Sequence, residues 1–161
     1  MVLLIAQLVA TALIAGWLTL GVWDNIRHPA NNETYTAEVM AMSRMQVEYP
    51  DAFANVAHRA VTDRRWQLLA FRLVVLGELL GALLLLLGTS ALASALIGWT
   101  EAALAREFAM LGATVFTAIW GGFLVVGNYF CYWFCHEGAQ NTHYQMTLWG
   151  LGTLILLAQS G

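Results

Sequence analysis

The stretch Leu73–Gly88, LVVLGELLGALLLLLG, is apolar except for one carboxylate, Glu78. At 1.5 Å per residue this run extends about 24 Å, and with its flanking residues it matches a hydrocarbon core about 30 Å thick. A charged side chain at the centre of a membrane helix costs at least about 2.5 kcal/mol, so Glu78 needs a structural or chemical reason to be there. The stretch therefore predicts a membrane-spanning helix with a buried carboxyl group.

The composition of the whole chain agrees with a membrane environment. Of its 161 residues, 60% are hydrophobic and only 11% are charged, whereas a soluble domain carries about 25% charged residues. Four apolar blocks are long enough to cross a bilayer, at residues 2–23, 66–88, 108–135 and 144–159. We expect an all-α integral membrane bundle of four transmembrane helices that forms a single domain over residues 1–161.

A polar loop, residues 24–65, separates the first two blocks, and its pattern predicts one or two short amphipathic helices. Within residues 50–62, Phe53, Val56 and Val61 recur at helical spacing, so we expect them to turn toward the bilayer or the bundle. A second short helix is predicted after Asn32, a favourable residue for a helix N-terminus. Four spans would place this loop at the same end of the bundle as residues 136–143.

The helical wheel predicts that Glu78 faces another helix instead of lipid. It shares a sector with Gly77 and Gly81, whose small side chains allow close helix packing. Counting inward from Trp66 places Glu78 about 18 Å deep, close to the bilayer midplane. The sector predicts an intramembrane polar site in which Glu78 fixes packing through a hydrogen bond, handles a proton or binds a ligand, or pairs with a group on a partner protein.

The third apolar block offers a matching surface for this carboxyl group. Small and polar residues lie in one sector there, namely Thr117, Gly121 and Asn128. The predicted hydrogen-bond partners of Glu78 are Thr117 or, from the first block, Thr11. We expect the second and third spans to pack through Gly77 and Gly81 against the sector of Thr117 and Gly121.

Cysteine and histidine residues cluster near the end of the third block. They are Cys131, Cys135, His136 and His143. Two thiols four residues apart with a nearby imidazole are loosely compatible with a metal site, but no second cysteine pair completes the set. No metal site is predicted, and no histidine lies inside a span, which disfavours a haem.

Several of these residues also carry a resemblance to a known family. The resembling positions are Asn25-Ile26, Asn32, Val39, Met42, Arg59–Thr62, Glu78 and the run GGFLVVGNYFCYW over 121–133. The chain resembles a family of bacterial predicted small integral membrane proteins of unknown function (domain of unknown function 2165). The resemblance implies a multi-pass protein of the bacterial inner membrane. This chain departs from the family pattern at His58, where the family has Trp, and at Asn128-Tyr129, where it has an acid and Trp.

The orientation of the termini stays open. Basic residues concentrate in the loop over residues 24–65, which favours a cytoplasmic loop, whereas the family pattern implies cytoplasmic termini. The net charge of −3 offers no basic surface for nucleic acid.

We find no nucleophile–base pair, phosphate loop or complete metal motif in the sequence, so we expect no enzyme activity. The leading hypothesis is a non-catalytic accessory or assembly subunit of a larger inner-membrane complex, with an energy-transducing complex as first candidate. Its candidate interface residues are Asn25, Asn32, Met42, Arg59, Arg72 and Trp133. The alternatives are a small homodimeric proton-coupled transporter that uses Glu78, and a haem- or quinone-associated redox subunit. We expect bound lipids and larger membrane subunits as partners, and no cofactor.

Overall fold

The computed structural model describes residues 1–160, and every regular element among them is helical. Two single 3₁₀ turns, Ala57–Arg59 and Tyr132–Phe134, interrupt the connections. The α-helices are α1 Val2–Arg27, α2 Pro29–Ala41, α3 Ser43–Glu48, α4 Pro50–Val56, α5 Arg64–Leu96, α6 Ala102–Tyr129 and α7 Glu137–Leu157.

The four long helices pack side by side as a bundle. Helix α5 lies against α1 on one side and α6 on the other, while α7 packs on α6 and also contacts α1. We call side B the end at which α1 and α6 finish and α5 and α7 begin, and side A the opposite end. Helix α2 packs on α5 at side B, so the loop between α1 and α5 forms a layer of short helices there.

Three of these helices, α1, α5 and α6, are long and apolar enough to cross a membrane, by length and composition. The prediction of a fourth span is therefore wrong. Helix α7 begins at Glu137 and its first half is polar, with Gln140, Asn141 and His143, so that only its second half is continuously apolar. The predicted third span is also too long, because α6 ends at Tyr129 and Cys131 takes a left-handed conformation with φ of 52°.

The side B layer is helical, but its predicted amphipathic helices are not confirmed. The helix predicted over residues 50–62 ends at Val56, continues as a 3₁₀ turn and becomes extended at Ala60. Ala57, which lies within the range of the predicted helix, is exposed. Phe53, Val56 and Val61 pack against a small cluster of buried residues, which consists of Met42, Met45, Phe130 and Cys131.

Helices α5 and α6 approach most closely in the half of the bundle nearer side A. A Cβ atom added to Gly112 would lie 2.7 Å from the backbone nitrogen of Leu85, and one added to Gly88 would lie 2.5 Å from the Cα of Ala109. Ala105, Ala109 and their neighbour on the same face, Ala113, are completely buried. The two backbones are therefore in direct contact, an approach that only small residues permit.

A buried glutamine joins the first long helix to the last at side A. The Nε2 of Gln7 donates to the carbonyl oxygen of Leu156 at 2.9 Å and to that of Gln159 at 3.1 Å. The last carbonyls of a helix have no partner within the helix, so a side chain from another element has to satisfy them. Gln7 thereby fixes the end of α7 against the start of α1.

Candidate ligand-binding cavity

A cavity of about 280 Å³ lies at the side B end of the bundle, beneath helix α2. Its walls come from α1, α2, α5, α6, the segment after α6, and α7. The lining residues are Asn25, Asn32, Tyr35, Thr36, Val39, Met40, Ala70, Phe71, Val74, Glu78, Trp120, Phe123, Val126, Gly127, Phe130, Tyr132 and His143. The surface is mostly apolar and aromatic with a few polar groups, which is the composition typical of small-molecule sites.

Glu78 contributes a carboxyl group to this cavity and is held there by two asparagines. Its Oε2 accepts a hydrogen bond of 2.7 Å from the Nδ2 of Asn25. The Oδ1 of Asn25 in turn accepts a bond of 2.6 Å from the Nδ2 of Asn32. This chain of amides connects α5, α1 and α2, and Glu78 and Asn25 are both buried. This chain of hydrogen bonds therefore holds the carboxyl group of Glu78 in place between three helices.

One wall of the cavity is a stack of aromatic rings. The ring of His143 stacks on Phe123 with centroids 4.7 Å apart and on Tyr132 with centroids 6.0 Å apart. Trp120 lies beside the same imidazole at 5.5 Å. Gly127 makes room for this wall, since a Cβ atom at that position would lie 2.8 Å from the ring of Tyr132.

Three polar atoms of this aromatic wall have no hydrogen-bond partner. They are the Nε1 of Trp120, the hydroxyl of Tyr132 and the Nδ1 of His143, and the fourth such atom in residues 1–160 is the Oε1 of the distant Gln7. Buried polar groups in native proteins are nearly always paired, with protein, water or a ligand. The three atoms are themselves buried, so a water molecule or a ligand in the cavity reaches them only after side chains of the wall move.

Burial keeps the ionisable groups of this wall neutral. It lowers the pKa of His143, which lies outside the three candidate spans, to about 4, and it raises the pKa of the Tyr132 hydroxyl above its ordinary value. Behind the wall, the Nδ1 of His136 and the hydroxyl of Tyr35 are 3.0 Å apart. Burial lowers the pKa of His136 and raises that of Tyr35, so this pair is also neutral near pH 7.

Nearly all residues of the fold, and all lining residues of the cavity, fall within the range that matches one protein family. The sequence profile of the family "Predicted small integral membrane protein (DUF2165)" matches residues 3–160. The chain belongs to this family. No curated protein and no solved structure is significantly similar to the chain. Every residue of the cavity wall falls inside the matched range, so the cavity is part of the domain that defines this DUF2165 protein.

In this DUF2165 protein, Glu78 has a different hydrogen-bond partner from those predicted. Thr117 and Thr11 donate to carbonyl oxygens of their own helices, those of Ala113 and Gln7. The actual donor, Asn25, lies two residues before the end of α1. The carboxyl group of Glu78 therefore reaches the last turn of α1, although Glu78 itself is the fifteenth of the 33 residues of α5.

The predicted contact between α5 and α6 is also displaced. A Cβ atom at Gly81 would meet Leu18 of α1 at 3.0 Å and Val115 of α6 at 3.2 Å, whereas one at Gly77 would only reach an α6 side chain at 4.0 Å. Gly121 instead faces α7, where its nearest neighbour is Thr147 at 3.7 Å. The structure does not bring Gly77 and Gly81 onto the sector of Thr117 and Gly121.

The predicted interface residues separate into buried and exposed groups. Asn25 and Asn32 belong to the cavity, and Met42 is buried in the side B cluster with a left-handed φ of 53°. Arg59 donates to the carbonyl oxygen of Tyr129 at 3.3 Å and lies 5.5 Å from the centre of its ring. Three other predicted site residues are exposed, namely Arg72, Asn128 and Trp133.

The four metal-ligand candidates do not meet at one point. His136 pairs with Tyr35, and His143 stacks in the cavity wall. Cys131 and Cys135 are free thiols, with Cys131 in the side B cluster. Within residues 1–160, no three His, Cys, Asp or Glu side chains are grouped so that they could hold a metal ion.

Sequence reasoning missed the aromatic wall and the role of Asn25 as the partner of Glu78. One signal for the wall was present, because Trp120, Phe123, Gly127 and Phe130 recur at i, i+3, i+7 and i+10. That spacing places the first three on one face of α6, and Phe130 follows directly after the helix ends. Tyr132 and His143 lie outside any such periodic pattern, and only the fold brings them to the same place.

Proposed function

We propose that this integral membrane protein is a non-catalytic binding protein that holds a small, largely apolar molecule in the side B cavity. The observation that carries the proposal is a mostly apolar, aromatic cavity of about 280 Å³ that has the buried carboxyl group of Glu78 among its lining residues. A pre-formed apolar cavity with a few convergent polar groups is the usual form of a small-molecule site.

The chemistry of the lining supports binding without catalysis. Among the lining residues that the structure describes, Thr36 is the one Ser or Thr. Its hydroxyl donates to the carbonyl oxygen of Asn32 and is not paired with a base. Glu78 is paired with an amide, and His143 has no hydrogen-bonded nucleophile beside it. Nucleophilic catalysis requires a nucleophile and a base within hydrogen-bond reach of each other.

The experiment is to purify the full chain from its native membrane in mild detergent and to identify the small molecules that remain bound, by mass spectrometry. Ala70→Phe adds a ring at the cavity wall and should abolish the retained molecule. Ala103→Phe makes the same change at an exposed position near side A and should retain it. Equal retention by the two variants, or no retained molecule in the unaltered protein, would contradict the proposal.

A proton-coupled transporter is the second candidate, and the position of Glu78 inside the cavity favours it. Buried acids in spanning helices are often transport sites, and a carboxyl group that contacts both ligand and proton would couple them. In a homodimer reconstituted into vesicles, uptake of the bound molecule should then depend on a pH gradient. Glu78→Gln should abolish that dependence while binding in detergent persists.

The accessory-subunit hypothesis stays a proposal alongside these two, as does a location in the bacterial inner membrane. In the side B layer, outside the candidate spans, Val47 is 81% exposed and Tyr49 is 43% exposed, so apolar surface is available to a larger membrane subunit. The same purification tests this hypothesis, because a stable hetero-complex would travel with the chain. Bound lipids would appear in the mass spectrum, and a visible spectrum tests the haem and quinone hypothesis.

A further inference from the structure

We propose that the cavity selects an organic cation, an ammonium group joined to a small apolar body, with the carboxylate of Glu78 as its counter-ion. This inference rests on the proposed function and specifies the chemical class of the ligand. It follows from three features of the cavity wall, namely its charge, its ring faces and its hydrogen-bonding groups.

The cavity wall carries one acid and no Lys or Arg among the lining residues that the structure describes. Two basic side chains of the side B layer form ion pairs with acids of the same layer. Arg64 pairs with Glu33, and Arg44 pairs with Glu38 at 3.2 Å. In a site of low dielectric constant a bound cation stabilises the ionised form of a carboxyl group that has no other positive partner, whereas an anion cannot.

Aromatic rings supply the second requirement for binding an organic cation. Tyr35, Phe71, Trp120, Phe123 and Tyr132 all line the same space as Glu78. The faces of such rings carry partial negative charge and attract ammonium groups, most strongly when water is excluded. The same rings offer apolar contact to the hydrocarbon part of the ligand.

The unpartnered polar atoms are compatible with a ligand that donates hydrogen bonds. The hydroxyl of Tyr132 and the Nδ1 of a neutral His143 can each accept an N–H bond, once the side chains that bury these two atoms move aside. The Nε1 of Trp120 can only donate, so it would contact an oxygen of the ligand or a water molecule. Asn25 occupies one acceptor position of the carboxylate, which leaves further positions for an ammonium group.

The test compares three probes of similar size with the full chain in detergent. They are the cation 2-phenylethylammonium, its neutral carbon isostere propylbenzene, and the anion 3-phenylpropionate, each titrated while tryptophan fluorescence is recorded. We expect the cation to bind at least about tenfold more tightly than the neutral isostere, as typical of an interaction with a charged partner. The anion should bind more weakly than either.

Glu78→Gln should reduce the affinity for the cation to that for the neutral isostere. Glu107→Gln removes the same charge at an exposed position near side A and should change neither affinity. If Glu78→Gln is poorly folded, Trp120→Leu provides the second test, since it retains the carboxylate. It should weaken binding of the cation more than binding of the neutral probe, because a ring face is lost.

The two sets of experiments test the choice of an organic cation and the binding function separately. Equal binding of cation and isostere, tighter binding of the anion, or no binding of any probe overturns the choice of an organic cation. The binding function itself depends on the separate retention experiment with Ala70→Phe and Ala103→Phe. If that experiment succeeds while the cation shows no preference, the cavity binds a neutral molecule and only the present inference fails.

Discussion

The two ends of the helix bundle differ in how closely their helices pack. Toward side A, α5 and α6 touch backbone to backbone through Gly88, Ala109 and Gly112. Toward side B the helices enclose a cavity lined by aromatic rings, a carboxyl group and amides. The close contact near side A stabilises the bundle. We expect this gain in folding free energy to offset the cost of leaving a cavity between the helices near side B.

The largest effect should come from filling the close contact. In Gly112→Leu, a side chain must enter space already occupied by the backbone of Leu85, which cannot move as a flexible side chain can. We expect destabilisation at or above about 3 kcal/mol, the upper end for an overpacked core. The measurement is thermal unfolding in detergent.

Gly122→Leu is the control for that experiment, because nothing lies within 4 Å of a Cβ atom at Gly122. It lies on the same helix and adds the same side chain. A similar loss of stability in both variants would show that Gly112 has no special role in the contact between α5 and α6.

Removing the carboxyl group should have the next largest effect. Glu78→Leu leaves the Nδ2 of Asn25 buried without an acceptor, which costs about 1–3 kcal/mol. Glu78→Gln keeps an acceptor oxygen and should stay near the stability of the unaltered protein. Unfolding midpoints of the two variants in the same detergent provide the comparison. If Gln and Leu destabilise equally, the bond to Asn25 does not stabilise the fold.

A smaller change should distort the cavity while the close contact remains intact. In Gly127→Ala, the added methyl group meets the ring of Tyr132, which must move by a few tenths of an ångström or more. We expect a cost of about 1–2 kcal/mol, within the range for overpacking, together with altered tryptophan fluorescence from Trp120. Gly122→Ala is the matched control, and identical spectra for the two variants would contradict the predicted displacement.

The smallest effect should be a dependence of stability on pH through His136. Burial lowers the pKa of this group below its ordinary value of 6.5, so the folded chain takes up a proton less readily than the unfolded chain. Its contribution to stability is therefore present above about pH 6.5 and is lost as the pH falls below that value. His136→Gln should flatten the stability profile between pH 7 and 5 more than does His58→Gln, a change at an exposed histidine.

The architecture could be predicted from sequence to a large extent, because continuous apolar runs specify membrane helices directly. The all-helical fold and the family are confirmed, and three of the four predicted spans correspond to candidate membrane helices. The fourth failed because the apolar run after His143 was taken as a whole span, although it forms only the second half of α7. Likewise, the chain turns at Cys131 through a left-handed backbone conformation, which no local sequence pattern indicated.

The site was harder to predict, because its geometry depends on where helices end relative to one another. Glu78 was recognised from its unusual place in an apolar run, but its partners were sought at a depth counted from Trp66, as if every span began at the same level. Helix α1 ends at Arg27, four residues later than predicted, and this brings Asn25 beside Glu78. The two residues are 53 positions apart in sequence, so no spacing rule connects them.

The bonds made by Gln7 have a consequence for biosynthesis. Its two acceptors lie 149 and 152 residues further along the chain, so α1 is synthesised long before either carbonyl exists. An unpaired amide is costly in an apolar environment, and Gln7 gains its partners only when the end of α7 packs against the start of α1. We therefore expect contact between α1 and α7 at side A to form late in assembly, and Gln7→Leu should remove this dependence of α1 on α7.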